Sequence, residues 1–177
     1  IEYLFGDDTN TNNANPTYGC LSGDCENGYG KYVYSSNDLY EGDFKNDLRN
    51  GYGIYTYSSG ATHEGFWEND KQHGIGLYIW PGGDIYEGQY QNGKKSGFGV
   101  YEWPGGQMYM GEFENDLYNG YGVMSYSHKT EKSGIWKNDT FYKDLATNEV
   151  EMYLENKHPK MIEYLFGDDT NTNNANP

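Results

Sequence analysis

The chain holds two cysteines, Cys20 and Cys25, close enough together to act as a redox or metal-binding pair. Four residues separate them in a polar, glycine-containing stretch ahead of the first predicted strand. An even count and so short a spacer favour a disulfide, which would indicate an oxidising, extracellular or envelope location. A zinc site is one alternative, but it needs two further ligands, and the histidines show no matching spacing. Free thiols in a cytosolic protein are the other.

The remaining residues with chemical potential form no catalytic set. Gly-x-Gly recurs at a fixed period inside predicted strands and never opens a helix, so a phosphate-binding loop is disfavoured. The carboxylates recur with the same period, as expected of a solvated acidic face. Calcium at Asp7 and Asp8, or near Asp24, would need a denser spacing of acidic residues. We therefore expect no enzymatic activity, no cofactor and no metal, and Asn138 of Asn-Asp-Thr is the one candidate glycosylation site.

Composition limits the partners of the chain. Its formal net charge is −15 over 177 residues, which disfavours nucleic acid and anionic membrane surfaces as partners. Polar and charged residues interrupt every apolar run, so we expect no transmembrane segment. Aromatic residues make up 18% of the chain and include 20 tyrosines. The core is therefore predicted to consist of rings, with the tyrosine hydroxyls at its rim.

A period of 23 residues organises most of the sequence. Gly-x-Gly begins at five positions, each 23 residues after the last: Gly28, Gly51, Gly74, Gly97 and Gly120. An aromatic-x-Gly-x-aromatic pattern keeps the same register, from Tyr40–Phe44 onward. A period of this length is typical of repeat architectures.

Each 23-residue unit is predicted to form a β-hairpin. Asn-Asp or Asn-Gly pairs, which tolerate the left-handed backbone of tight turns, separate two segments that alternate with period two. One face would carry a ladder of ten positions, nine of them aromatic: Tyr32, Tyr34, Tyr55, Tyr57, Tyr78, Trp80, Tyr101, Trp103, Met124 and Tyr126. We predict an all-β fold, an elongated single-sheet ribbon of successive hairpins over residues 28–136, with a short C-terminal extension.

The pattern (Y/H)xGx(F/W/Y)xxxxxxGxGxY resembles the MORN repeat, in unbroken register over residues 28–136. The resemblance implies a twisted sheet of hairpins and says little about function. The segment 19–32, which carries both cysteines, is similar to the cap that opens some bacterial MORN proteins. The chain departs from the pattern at His63, at Met110 and in a fifth copy that lacks its leading aromatic residue.

Residues 1–16 and 162–177 are identical, which predicts one period of a longer tandem array. The predicted units are a strand and polar spacer carried over from the preceding period (1–16), the repeat domain (17–139), a C-terminal extension (140–161) and the start of the next period (162–177). In the extension, Val150, Met152 and Leu154 alternate with glutamates, which favours a strand. The alternative is a short helix capped by Asn148, and Pro159 ends the element in either case.

The segment IEYLF is predicted to be an apolar strand at both ends of the chain. We expect these strands to dock between successive units by strand addition, which would propagate head to tail as a fibre. The residues predicted to mediate this self-association are Ile1, Tyr3, Leu4, Phe5, Ile162, Tyr164, Leu165 and Phe166. In the alternative arrangement each segment caps its own domain and the units form flexible beads.

Three functions fit these observations. The favoured one is a structural or interaction module of an extracellular filament, fibre or surface adhesin, with copies of itself as partners. The resemblance also implies an intracellular scaffold that binds proteins or phosphoinositides, although the charge disfavours lipid. The third is an accessory region of a larger enzyme.

Overall fold

A computed structural model describes residues 18–127 and 129–167. Twelve antiparallel strands form one sheet in sequence order, followed by two helices, which confirms the predicted hairpin ribbon. None of the described helices is long and apolar enough to cross a membrane. The elements are β1 Gly19–Gly23, β2 Tyr29–Val33, β3 Leu39–Lys45, β4 Leu48–Thr56, β5 Thr62–Glu68, β6 Lys71–Ile79, β7 Ile85–Gln91, β8 Lys94–Glu102, β9 Gln107–Glu114, β10 Leu117–Tyr126, β11 Lys129–Lys137, β12 Thr140–Asp144, α1 Thr147–Lys157 and α2 Pro159–Phe166.

The hairpin turns adopt the left-handed backbone that their residue types predict. Asn46 and Asp47, for example, have φ values of 52° and 63°. The same pair of conformations recurs at residues 69–70, 92–93, 115–116 and 138–139. Two positive φ values in succession give the turn that matches the twist of antiparallel strands. The last of these turns joins β11 to β12, so the sheet continues past residue 139.

Period-two alternation gives the sheet two different faces. The aromatic face carries the predicted ladder, with ring centroids 5.6 Å apart for Tyr34 and Tyr55 and 5.7 Å apart for Tyr57 and Tyr78. The ladder runs unbroken from Tyr32 to Trp103 and then turns to Tyr118, at 6.4 Å. Its predicted last member, Tyr126, is half exposed. The opposite, aliphatic face carries Ile54, Leu77, Val100 and their equivalents.

Glycine makes room for the innermost ring of each repeat. Tyr40 is fully buried, and a Cβ atom placed on Gly53 would overlap its ring. The Tyr40 hydroxyl donates to the Asp43 carbonyl at 3.1 Å. Tyr86 and Tyr109 repeat this arrangement over Gly99 and Gly122. A strand glycine that receives a neighbouring side chain in this way cannot be replaced without displacing it.

We expect Gly53→Ala to lower the free energy of unfolding by about 1–3 kcal/mol, because the added methyl group overpacks the Tyr40 site. Urea unfolding measures this change. Gly105→Ala is the matched control, since a Cβ at Gly105 meets no atom within 4 Å. That variant should change stability by less than about 0.5 kcal/mol. Equal effects of the two substitutions would contradict the packing argument.

The C-terminal extension is helical where the sequence left strand and helix open. After β12, α1 buries Val150 and Leu154 completely, one helical turn apart. Both pack against Phe98 and Val123 on the aliphatic face. Helix α1 ends at Lys157, just before Pro159 as predicted, but Pro159 also begins a second helix that the sequence did not predict.

The predicted strand at Ile162–Phe166 is wrong, since these residues form the second half of α2. Proline occupies the first turn of α2, where its fixed φ favours helix initiation. Met161, Ile162 and Leu165 then turn to one side and join the cluster around Phe98. A strand would divide these apolar residues between two faces, whereas helical spacing brings them together. The identical segment Ile1–Phe5 lies outside the described residues.

A buried carboxylate fastens the junction of the two helices to the sheet. Glu112 on β9 accepts hydrogen bonds from Lys157 Nζ at 2.6 Å and from the Tyr121 backbone N–H at 2.9 Å, and its Oε1 lies 3.1 Å from His158 Nε2. Burial raises the pKa of Glu112, but these hydrogen bonds outweigh it and hold the pKa below its usual value. The His158 ring also stacks on Phe98, with centroids 5.4 Å apart.

Candidate functional site

The two cysteines are joined as predicted. A disulfide links Cys20 on β1 to Cys25 in the turn that precedes β2. The Cys25 side chain lies partly buried against the first cluster of rings on the aromatic face. The bond therefore secures the exposed edge strand β1 to the end of the ring ladder.

The other predicted site residues are dispersed. Asn138 is exposed in the turn between β11 and β12. In α2, Ile162 and Leu165 pack inward, whereas Tyr164 and Phe166 are each 54% exposed. The segment containing Ile1, Tyr3, Leu4 and Phe5 lies outside the described residues. Among the predicted site residues that the structure describes, the two cysteines are bonded to each other, and Ile162 and Leu165 share the cluster around Phe98.

The most elaborate constellation was not predicted, and it centres on Arg49. The Arg49 Cζ atom lies 4.4 Å from the ring centre of Trp67, 4.9 Å from that of Tyr55, and 5.8 and 5.9 Å from those of Tyr34 and Tyr40. These distances are within the range of cation–π attraction. We call such a set of four side chains around a central residue a cup.

The cup recurs two periods later. Adding 46 residues to each member gives a central Lys95 with Trp80, Tyr86, Tyr101 and Phe113. The Lys95 Nζ atom lies 4.7–5.9 Å from these four ring centres. Burial lowers the pKa of Lys95. One period further on, the ring of Tyr118 fills the central position, 4.0 Å from that of Tyr109 and 5.9 Å from that of Trp136.

The turn aspartates hold the central residues in place. Asp70 Oδ1 accepts hydrogen bonds from Arg49 N at 3.0 Å and from Arg49 Nε at 2.9 Å. Asp116 accepts from the backbone N–H of Lys95, and Asp139 from that of Tyr118, both at 2.8 Å. Each of these three turns thereby fixes the central residue of the preceding hairpin, which couples successive repeats.

The repeat at residues 63–85 lacks most of these contacts. Its central residue is the uncharged Gln72, and the following turn has Gly93, which offers only its backbone N–H to the Gln72 carbonyl. His63 replaces the inner tyrosine and is fully buried. Within the described part of the chain, neither of its ring nitrogens has a hydrogen-bond partner. Burial, and to a lesser degree the charge of Arg49, lowers the pKa of His63 to about 4.

A cavity of about 240 Å³ opens at the N-terminal end of the aromatic face. Its lining mixes rings with both signs of charge: Cys25, Tyr32, Tyr34, Phe44, Asp47, Arg49 and Asp70. Because Arg49 already contacts both Asp70 and the rings, the site can receive an apolar or aromatic group beside a paired cation.

The hairpin repeats correspond to a known protein family. The model of the MORN repeat family matches residues 22–39, 40–62, 63–85, 86–108 and 109–127, which together span more than half of the chain. The chain therefore belongs to the MORN-repeat family. No curated protein matches the chain. Membership of this family supports a structural or interaction repeat module.

Sequence reasoning found the rings but missed the cups. One signal was available, because the only arginine and Lys95 stand 46 residues apart at the same repeat position. The side chains that surround each of them come from three strands and from the residue that directly follows a fourth, so their convergence depends on pairing register. The attachment of Glu112 to the helix junction gave no comparable signal, since Lys157 and His158 are about 45 residues away.

We expect His63→Tyr to stabilise the protein at pH 7 by about 1 kcal/mol. The new hydroxyl would reach the Phe66 carbonyl, as Tyr40 reaches that of Asp43. The substitution should also change the pH dependence. Wild-type stability is full above the unfolded pKa of 6.5 and is lost as the pH falls towards about 4, because only the unfolded chain protonates His63 readily. This loss approaches about 3 kcal/mol.

Urea unfolding of both proteins at pH 7.5, 6.0 and 4.5 checks the prediction. The other histidines are common to both proteins, so the difference between the two curves isolates His63. The stabilisation by His63→Tyr should grow as the pH falls. A difference that stays constant over this range would contradict a neutral, buried His63.

Proposed function

We propose that this chain is a non-enzymatic module of an extracellular filament, fibre or surface adhesin, with units arranged head to tail. The observation that carries the proposal is the identity of residues 1–16 and 162–177. The same apolar pentapeptide thus precedes and follows the repeat sheet, separated from the sheet by a polar spacer at its N-terminal end. A contact made by such a segment on a neighbouring unit does not close on itself, so it propagates.

Three features of the fold support this role. The sheet couples each hairpin to the next through its turns, which suits an elongated load-bearing element. The disulfide at the first strand suits an oxidising compartment. The helix α2 leaves Tyr164 and Phe166 each 54% exposed, so both side chains are available for a contact with a neighbouring unit.

The extracellular assignment predicts that both cysteines are oxidised in native material. Intact protein isolated without reductant should incorporate no alkylating reagent at Cys20 or Cys25, as measured by mass spectrometry. Prior reduction should allow two alkylations and serves as the control. Two free thiols in the native protein would favour an intracellular scaffold.

Head-to-tail assembly predicts a fixed geometry between two joined 161-residue periods. We expect small-angle scattering to report one rigid particle, and the paired substitution Tyr164→Asp and Phe166→Asp at the junction to make it flexible. These two residues are preferable to Leu165, which packs inside its own unit. In a single unit the same pair of substitutions should lower the free energy of unfolding by no more than about 1 kcal/mol, because both side chains are more than half exposed. Equal rigidity of both joined proteins would refute contact through this segment.

A further inference from the structure

Among the residues that the structure describes, helices cover the aliphatic face of the sheet at one end, and no element covers it at the other. Helices α1 and α2 lie over its C-terminal half, where Phe98 and Val123 are buried. Beyond the edge of α2, Tyr52, Ile54 and Ile79 are 45%, 41% and 38% exposed. Together with the half-buried Leu77 they form what we call the apolar shelf.

The shelf repeats the surface on which α2 already lies. Leu165 and Phe166 of α2 line a common cavity with Ile85, Glu87, Val100 and Glu102. One period earlier, the equivalent four positions are Thr62, Glu64, Leu77 and Ile79. Strand pairing is identical in the two places, since Glu87 pairs with Val100 and Glu64 pairs with Leu77. At the end of the two surfaces Ile79 replaces Glu102 and Thr62 replaces Ile85, so each copy has one aliphatic residue in that pair.

The spacing between these two surfaces suits two helices side by side. One period advances two strands, and strands lie about 4.8 Å apart, so the surfaces are separated by roughly 10 Å. Packed helices have axes about 8–10 Å apart. A second helix on the shelf would therefore contact both the sheet and the exposed edge of α2, where Tyr164 and Phe166 stand.

We propose that Ile1–Phe5 binds the apolar shelf as a second helix alongside α2. Its sequence is identical to that of Ile162–Phe166, which already binds the equivalent surface one period away. Leu4 and Phe5 then cover Leu77 and Ile79. The Tyr3 hydroxyl approaches Glu64, which also accepts a hydrogen bond from Tyr52, as the Tyr164 hydroxyl bonds to Glu87. Packing of the apolar side stabilises this short helix, as it does most helices in proteins.

The spacer can reach the shelf within one chain. Residues 6–17 number twelve, and a flexible coil of that length spans roughly 20 Å. The four to five strand spacings from β1 to the shelf amount to about 19–24 Å. A linker whose length matches its span gives a high effective concentration, so binding within the chain precedes binding between chains.

This contact makes the proposed function more specific. Its part in assembly rests on that proposed function. If units are joined at the 161-residue period, Ile1–Phe5 of one unit is the end of α2 of the unit before. Because Leu165 cannot pack on its own sheet and on the shelf at the same time, docking in joined units transfers the end of α2 from the cluster around Phe98 to the shelf of the next unit. The contact itself, however, forms within a single chain and is measurable there.

Hydrogen exchange of the full chain, followed by mass spectrometry, tests the docking. We expect the Ile1–Phe5 peptide to exchange at least about tenfold more slowly than in the Ile79→Glu variant. Glutamate is already present at the equivalent position 102, so this variant should fold. Val33→Glu is the matched control, because position 33 is equivalent by two periods but lies near the other end of the sheet. The Val33→Glu variant should keep the slow exchange of Ile1–Phe5. Tenfold dilution should also keep it, because the contact forms within one chain.

Equal exchange in all three proteins would overturn the proposal, and so would protection that disappears on dilution. Leu4→Asp combined with Phe5→Asp gives a second test, since it alters no described residue. That variant should shift the methyl NMR signals of Leu77 and Ile79 and leave that of Val33 unchanged. If joined units are rigid but Ile79→Glu has no effect on the exchange of Ile1–Phe5, the docking is refuted and the proposed function is not. If the segment docks in the single chain but joined units are flexible, the proposed function is refuted and the docking is not.

Discussion

A tyrosine ring that lies over glycines of neighbouring strands is the contact from which the aromatic face is built. A single sheet has no second layer to cover this face, so its side chains are buried only if they lie against the sheet itself. Tyr40 achieves this because Gly42 and Gly53 have no Cβ atoms, and its hydroxyl satisfies a carbonyl. The rings of Phe44 and Trp67 then pack edge-on to Tyr40, at 5.0 and 5.6 Å. Bare backbone thus substitutes for a missing layer.

The cups extend this solution along the ribbon and also reveal its weakest point. A central side chain is surrounded by rings from several strands and held by the next turn, so each repeat stabilises its neighbour. Residues 63–85 break the sequence of contacts, because Gln72 supplies no charge and His63 supplies no hydrogen bond. In a nearly one-dimensional array, the free energy of local opening is lowest where an interface is poorest. We expect opening to begin at this repeat.

The aliphatic face is covered to different degrees at the two ends of the described sheet. Towards the C-terminus, α1 and α2 supply a true second layer, with Val150 and Leu154 fully buried. Glu112 anchors this layer through the residues that link the helices. Towards the N-terminus the same face is open, although its periodic positions remain apolar at Ile54 and Leu77. This uncovered surface is equivalent by repeat position to the one that α2 contacts, which is why we propose that Ile1–Phe5 docks there.

The sequence by itself determined the ribbon. A strict 23-residue register, glycine at fixed places and Asn-Asp turns leave few alternatives to successive hairpins, because each of these signals acts over a few residues. The pairing of Cys20 with Cys25 was equally local. Tertiary structure alone decided that Ile162–Phe166 is helical, since the segment alternates well enough for a strand and becomes helical by packing on Phe98 and Val123. Tertiary structure also decided the composition of the cups, because Arg49 contacts Tyr34 and Trp67 only when strand register brings these distant residues together.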